Sequence, residues 1–186
     1  MALVRMPGWG PVSVMKNLAR DWKIGVIALA IFALDQLTKL LVLRFMDFQT
    51  EKVILHGFFK FVHWGNTGAA YSMFTGSNLT LGFVGVVAIV MLILKRHHFG
   101  VNTMTGQVAL GLILGGILGN VTDRFRIGHV VDFLYFYLIR SDSLEAGFPA
   151  FNVADTAICV GVGLLFILSL KQPAEPEPRP ASVEDH

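Results

Sequence analysis

Four stretches of this chain, Ile24 to Leu43, Ser77 to Leu94, Thr105 to Val121 and Asn152 to Leu170, approach the roughly 20 apolar residues that a helix needs to cross a bilayer. Together they hold only three charges, Asp35, Lys39 and Asp155, where the chain's 15% charged content would place about eleven in that length. A soluble core does not produce such depletion, and 54% apolar residues over 186 positions agrees with lipid as the solvent. Disorder and collagen are excluded. The net charge of +2 carries no basic block, so no nucleic-acid partner is expected. The single cysteine, Cys159, lies among apolar neighbours and reads as packing.

The first stretch follows Lys16, Arg20 and Lys23 and contains Ala28 and Ala30 at small-x-small spacing, which is the outline of a secretory signal. The apolar run continues past those alanines to Asp35 and Lys39, so an uncleaved first span is expected. Residues 1–23 then form a basic cytoplasmic N-terminus, 24–170 one four-span domain, and 171–186 a Pro-rich, acidic, disordered tail. Lys and Arg counts favour both termini in the cytoplasm. Two further segments, Lys52 to His63 and Val130 to Ile139, are β-branched and aromatic, too short to span, and suited to short strands at the headgroup level.

Parity then sorts the polar residues. In a four-span bundle the end of span one, the end of span three, the start of span four and both long loops share one side. That side holds Asp35 and Lys39, Asn66 with Thr67 and Gly68, Asn120, Asp123 and Arg124 at the end of span three, Asp132, and Asn152 with Asp155. Most have an ordinary structural reading as well. Asp35 and Lys39 are spaced i, i+4 and can neutralise each other. Asn120, Asp123 and Arg124 fit helix-end chemistry as well as a place beside a site. Asn152 and Asp155 fit an N-cap with an acid at N3. Asp132 has neither a nearby cation in sequence nor a cap position, and a carboxylate between Val131 and Phe133 needs a partner or a proton.

If Asp132 and Asp155 meet, two carboxylates in a partly dehydrated site share a proton and supply an acid and a base from identical side chains. Helix-dipole stabilisation of Asp155 makes it the expected base and Asp132 the expected proton donor. No metal or other cofactor is needed for that chemistry. Three rivals draw on the same residues. A Ser-Lys peptidase would pair Ser72 with Lys39, a metal hydrolase would recruit His129, Asp132 and Asp123, and a proton or ion pathway would be lined by Asp35, Asp123 and Asp155.

The stretches LDQLTK (34–39), NTGAAYSMF (66–74), LGGILGNVTDR (114–124), GHVVDF (128–133) and FPAFNVADT (148–156) occur in an order and spacing that resemble lipoprotein signal peptidase, the signal peptidase II family. The resemblance covers roughly 24–170 and implies an aspartic endopeptidase of the bacterial inner membrane. Its fold would be four transmembrane helices with a small extracytoplasmic β-cradle and a short surface helix at the outer leaflet. The implied substrate is a prolipoprotein carrying a diacylglyceryl-cysteine, cut just before that cysteine, and globomycin-type inhibitors are expected to bind. The family's catalytic pair falls on Asp132 and Asp155. Asp35, Lys39, Asn66, Gly68, Asn120, Asp123, Arg124 and Asn152 match positions that shape or support the site.

Overall fold

The computed structural model describes residues 11–68, 77–140 and 144–170, with side chains described from residue 21 onward. In chain order the elements are α1 (Pro11–Phe45), β1 (Glu51–Leu55), β2 (Phe59–Asn66), α2 (Asn78–Leu94), α3 (Met104–Arg126), β3 (Val130–Ile139), β4 (Glu145–Gly147) and α4 (Val153–Leu170). The Pro-rich tail and most of the NTGAAYSMF stretch lie outside the described residues.

All four apolar stretches are helical. Three of the helices, Asp21–Phe45 within α1, Met104–Arg126 and Val153–Leu170, are long and apolar enough to cross a membrane, while α2 is an apolar helix of 17 residues. α3 is the central helix, with 56% of its apolar window buried against 17% for α1 and α4, and it packs against all three others. Small residues make that possible: a methyl group added at Gly116 would meet the Ala154 carbonyl of α4. The outward faces carry exposed Leu, Val, Ile and Phe side chains, as lipid requires.

Two boundaries differ from the sequence reading. α1 starts at Pro11 rather than Ile24, taking in part of the basic N-terminal segment. α3 continues to Arg126 instead of ending near Val121, so Asn120, Asp123 and Arg124 lie inside a helix. The extra turns persist because Asp123 and Arg124 find partners on other elements, and the stop comes where Ile127 N–H donates to the Asp123 carbonyl and Gly128 takes φ +80°.

The strands form one antiparallel sheet in the order β1-β2-β3-β4. Lys52 to His63 is a hairpin rather than one strand, turning at Gly57 with φ +75°. β4 was not anticipated, since Glu-Ala-Gly carries no strand preference. Among the described residues the one short helical segment is a 3-10 turn, Arg96–Phe99, joining α2 to α3 at the end of the bundle away from the sheet; no surface helix beside the sheet is described. A small core of Val42, Val131 and Phe133, packed by Met46, Phe61, Leu134 and Val153, seats the sheet on the ends of α1 and α4.

Candidate active site

Every polar residue singled out by parity comes to one end of the bundle, where α1 and α3 finish, α4 begins and β3 starts. Asp35 and Lys39 lie one turn apart on α1, facing α3, and are 0% and 2% exposed. Lys39 Nζ lies 2.9 Å from Asp35 Oδ2 and 2.7 Å from Asp123 Oδ2, and donates to Asn120 Oδ1 at 2.9 Å. The ammonium's three donors thus have three acceptors. Asp35 does more than neutralise Lys39: its Oδ1 accepts from Ala154 N–H at 2.9 Å, satisfying an otherwise free donor in the first turn of α4.

α4 opens with a capping box. Asn152 Oδ1 accepts from Asp155 N–H at 3.0 Å, and Asp155 Oδ2 accepts from Asn152 N–H at 3.2 Å. The other oxygen, Oδ1, accepts from Asn120 Nδ2 at 2.7 Å. Asn152 is fully buried, and its Nδ2 turns the opposite way to donate to Asp132 Oδ1 at 2.9 Å. One asparagine therefore touches both carboxylates. Asp132 Oδ2 accepts from Asn66 Nδ2, at the end of β2, at 3.0 Å.

Asp132 is 3% exposed and is served by two amides and no cation-bearing side chain. Burial disfavours its charge and the neighbouring Asp155 carboxylate adds repulsion; the Asn66 and Asn152 hydrogen bonds only partly offset these effects, so its pKa is pushed up to about 7. Arg124 spans from α3 to the segment after β2, donating to the carbonyls of Gly68 at 3.1 Å and Asn120 at 3.3 Å. Its buried Nε has no acceptor among the described residues.

The residues that the alternative readings draw on are placed as follows. Asn120, Asp123 and Arg124 lie within α3, and their side chains reach Asp155, Lys39 and the Gly68 carbonyl on other parts of the chain. Asp35, Asp123 and Asp155 gather at one end instead of lining a path through the bundle. His129 packs on Phe48, and among the described residues no three His, Cys, Asp or Glu side chains are placed to hold a metal ion. Ser72 lies outside the described residues, and Lys39 Nζ bonds Asp35, Asp123 and Asn120.

Residues 27–171 match the family model described as signal peptidase (SPase) II. The chain belongs to the signal peptidase II family. Proteins named lipoprotein signal peptidase from Syntrophotalea carbinolica and Nostoc sp. are 37% and 38% identical to it over 145 and 155 residues. They cover 76% and 83% of this chain and 87% and 94% of their own lengths. A solved bacterial membrane enzyme superposes with a TM-score of 0.68 at 28% identity, covering 81% of this chain and 94% of its own. Signal peptidase II is an aspartic-type peptidase.

Two residues of this signal peptidase II chain escaped the sequence reading. Gln36 Nε2 donates to Asp123 Oδ1 at 2.9 Å and lies 3.2 Å from Asp35 Oδ2, bridging both acids that hold Lys39. Its i, i+3 spacing to Lys39 was the available signal. Lys60, a basic residue of the Lys52 to His63 segment with no partner evident in sequence, is 3% exposed inside the sheet. The alternation Phe59-Lys60-Phe61 in a strand puts it on the face opposite two phenylalanines.

Proposed function

We propose that this chain is the endopeptidase that removes signal peptides from diacylglyceryl-modified prolipoproteins, cutting before the lipidated cysteine with Asp132 and Asp155 as the catalytic pair. The observation that carries this reading is the double attachment of Asn152, which caps the half-buried Asp155 and donates to the buried Asp132, holding the two carboxyls in one site. Asp155 accepts hydrogen bonds on both oxygens at a helix N-terminus, a setting suited to the anion and to the base. Asp132, with its pKa near 7 and no cation bonded to it, is suited to hold the proton.

In this mechanism Asp155 takes a proton from water as the water oxygen bonds to the scissile carbonyl carbon. Protonated Asp132 donates a hydrogen bond to the carbonyl oxygen as it becomes negative. When the tetrahedral species collapses, the C–N bond breaks and a carboxyl proton passes to the leaving nitrogen, the α-amino group of the lipidated cysteine. Asn66, Asn120 and Asn152 hold the acids in place, and Lys39 with Asp35 and Asp123 braces α1, α3 and α4. The acyl chains in the bilayer would fix the peptide bond near the surface, turning an encounter in three dimensions into positioning along the membrane.

The reading includes four spans, both termini in the cytoplasm, and the sheet and site at the outer leaflet of the inner membrane. Globomycin-type inhibitors are proposed to occupy the same site. The test is cleavage of a diacylglyceryl-modified prolipoprotein by purified protein in detergent. Asp132→Asn and Asp155→Asn should each abolish turnover while remaining folded. Cleavage by both variants sinks the catalytic assignment, and a wild-type enzyme that accepts only unlipidated precursor sinks the substrate assignment.

A further inference from the structure

The sheet contains a charged cluster that the proposed chemistry does not use. Lys60 Nζ of β2 donates to Glu51 Oε2 of β1 at 2.6 Å and to Glu145 Oε2 of β4 at 2.8 Å, and lies 5.1 and 4.8 Å from the ring centres of Tyr135 and Tyr137 of β3. All four strands contribute a side chain. In the order β1-β2-β3-β4 the second and fourth strands are not neighbours, so the Lys60–Glu145 pair crosses over β3 above the two tyrosines. The cover is shallow, because the carboxylates themselves are 39% and 46% exposed. Burial works against the charge on Lys60, but its hydrogen bonds to Glu145 and Glu51, together with the attraction of their charges, outweigh that and hold the pKa above its ordinary value.

β4 is held otherwise by its backbone pairing with β3. It is an edge strand of three exposed residues, Glu145–Gly147, paired with Tyr137 to Ile139. From β4 the chain runs as a strap along β3: Phe148 N–H donates to the Phe136 carbonyl at 2.9 Å, and Phe151 bridges Leu134. The next residue is Asn152. Glu51 has no comparable route, since it lies on β1 at the far edge of the sheet.

We propose that Lys60 is a positioning residue of the peptidase: by gripping Glu145 across β3 it anchors the strap 145–152 and so keeps Asn152 between Asp132 and Asp155. This inference rests on the catalytic reading above. A merely structural ion cluster would make its two glutamates interchangeable, because both bond the same ammonium and are similarly exposed.

The experiment compares Glu145→Ala, Glu51→Ala, Lys60→Met and Lys60→Arg by steady-state cleavage of the lipid-modified precursor, with thermal unfolding measured alongside. Glu145→Ala and Lys60→Met should lose roughly ten-fold or more in kcat with KM within about two-fold, since a displaced Asn152 affects the reacting geometry rather than substrate docking. Glu51→Ala should stay near wild type, and Lys60→Arg should recover most of the loss. Slippage of Asn152 also removes a bond favouring the Asp132 anion, so the alkaline limb of the pH profile should move to higher pH in Glu145→Ala and not in Glu51→Ala. Asp155 on α4, Asp123 and Arg124 on α3, and Asp35 and Lys39 on α1 surround Asp132 unchanged in both. Equal kcat losses in the two glutamate variants, or a Glu145→Ala enzyme as fast as wild type, overturn the proposal. These outcomes stand even if Lys60→Met fails to fold. Failure of the catalytic reading looks different: Asp132→Asn and Asp155→Asn would still cleave.

Discussion

Asp132 is held where its charge is unwelcome, and stability and activity should both report it. The folded protein retains a proton at Asp132 up to about pH 7, whereas the unfolded chain releases it near the ordinary carboxyl value of 3.8. A carboxyl with a raised folded pKa stabilises the fold most below its unfolded pKa, and that contribution is lost as pH rises through the folded one. Asp132→Asn, which never acquires the charge, should therefore unfold later than wild type at pH 8, by about 1–3 kcal/mol, with the difference shrinking towards pH 4. Thermal unfolding in detergent at the two pH values checks this. Wild-type cleavage should fall as pH rises through about 7, where the proposed proton donor is lost. Lys39 poses the opposite problem. Lys39→Met leaves Asp35 and Asp123 buried without their cation and should cost about 3–5 kcal/mol, seen as a large drop in unfolding temperature. Part of this scale was legible in the sequence. The Asn152–Asp155 capping box and the Asp35–Lys39 pair are local, and local spacing announces them. Gln36 and Lys60 were not, because each gets its meaning from partners on distant elements.

The elements were legible in type and less so in extent. Apolar runs marked all four helices, but α3 outlasts its apolar stretch because Asp123 and Arg124 are paid for by Lys39 and the Gly68 carbonyl, which one-dimensional hydropathy does not register. β4 is a strand by its pairing with β3, where Glu145 also meets Lys60. Helix packing offers the cleanest test at this scale. A methyl group at Gly119 of α3 would collide with Asp35 Oδ2 and press on Ala154, so Gly119→Ala would push Asp35 off the first turn of α4. It should lower stability by about 1–3 kcal/mol and reduce cleavage as well. Gly163→Ala on α4 is the control: nothing lies within 4 Å of the added carbon, and the better helix former should be neutral or slightly stabilising. Equal behaviour of the two variants would show that the α3–α1 approach is not tight.

At the scale of the whole molecule, the sheet supports the number of spans. β2 precedes α2, β3 follows α3, and the two strands are hydrogen-bonded to each other, so both must lie on one side of the membrane. α3 is long and apolar enough to cross. If it crosses, α2 must cross back, whatever its length. At about 1.5 Å per residue, 17 residues reach about 26 Å against a hydrocarbon core of about 30 Å, so α2 is expected to stand nearly upright and draw the bilayer thinner around it. The parity can be checked in cells with the outer membrane opened, using single cysteines in a Cys159→Ser background and a membrane-impermeant maleimide. Lys52→Cys on β1 and Leu138→Cys on β3 should both label from outside, whereas His97→Cys, in the turn between α2 and α3, should label only after the inner membrane is breached. Outside labelling at both position 97 and the two strand positions would leave α2 and α3 without a crossing, and the sheet would then have to be held at the surface by α1 and α4 alone.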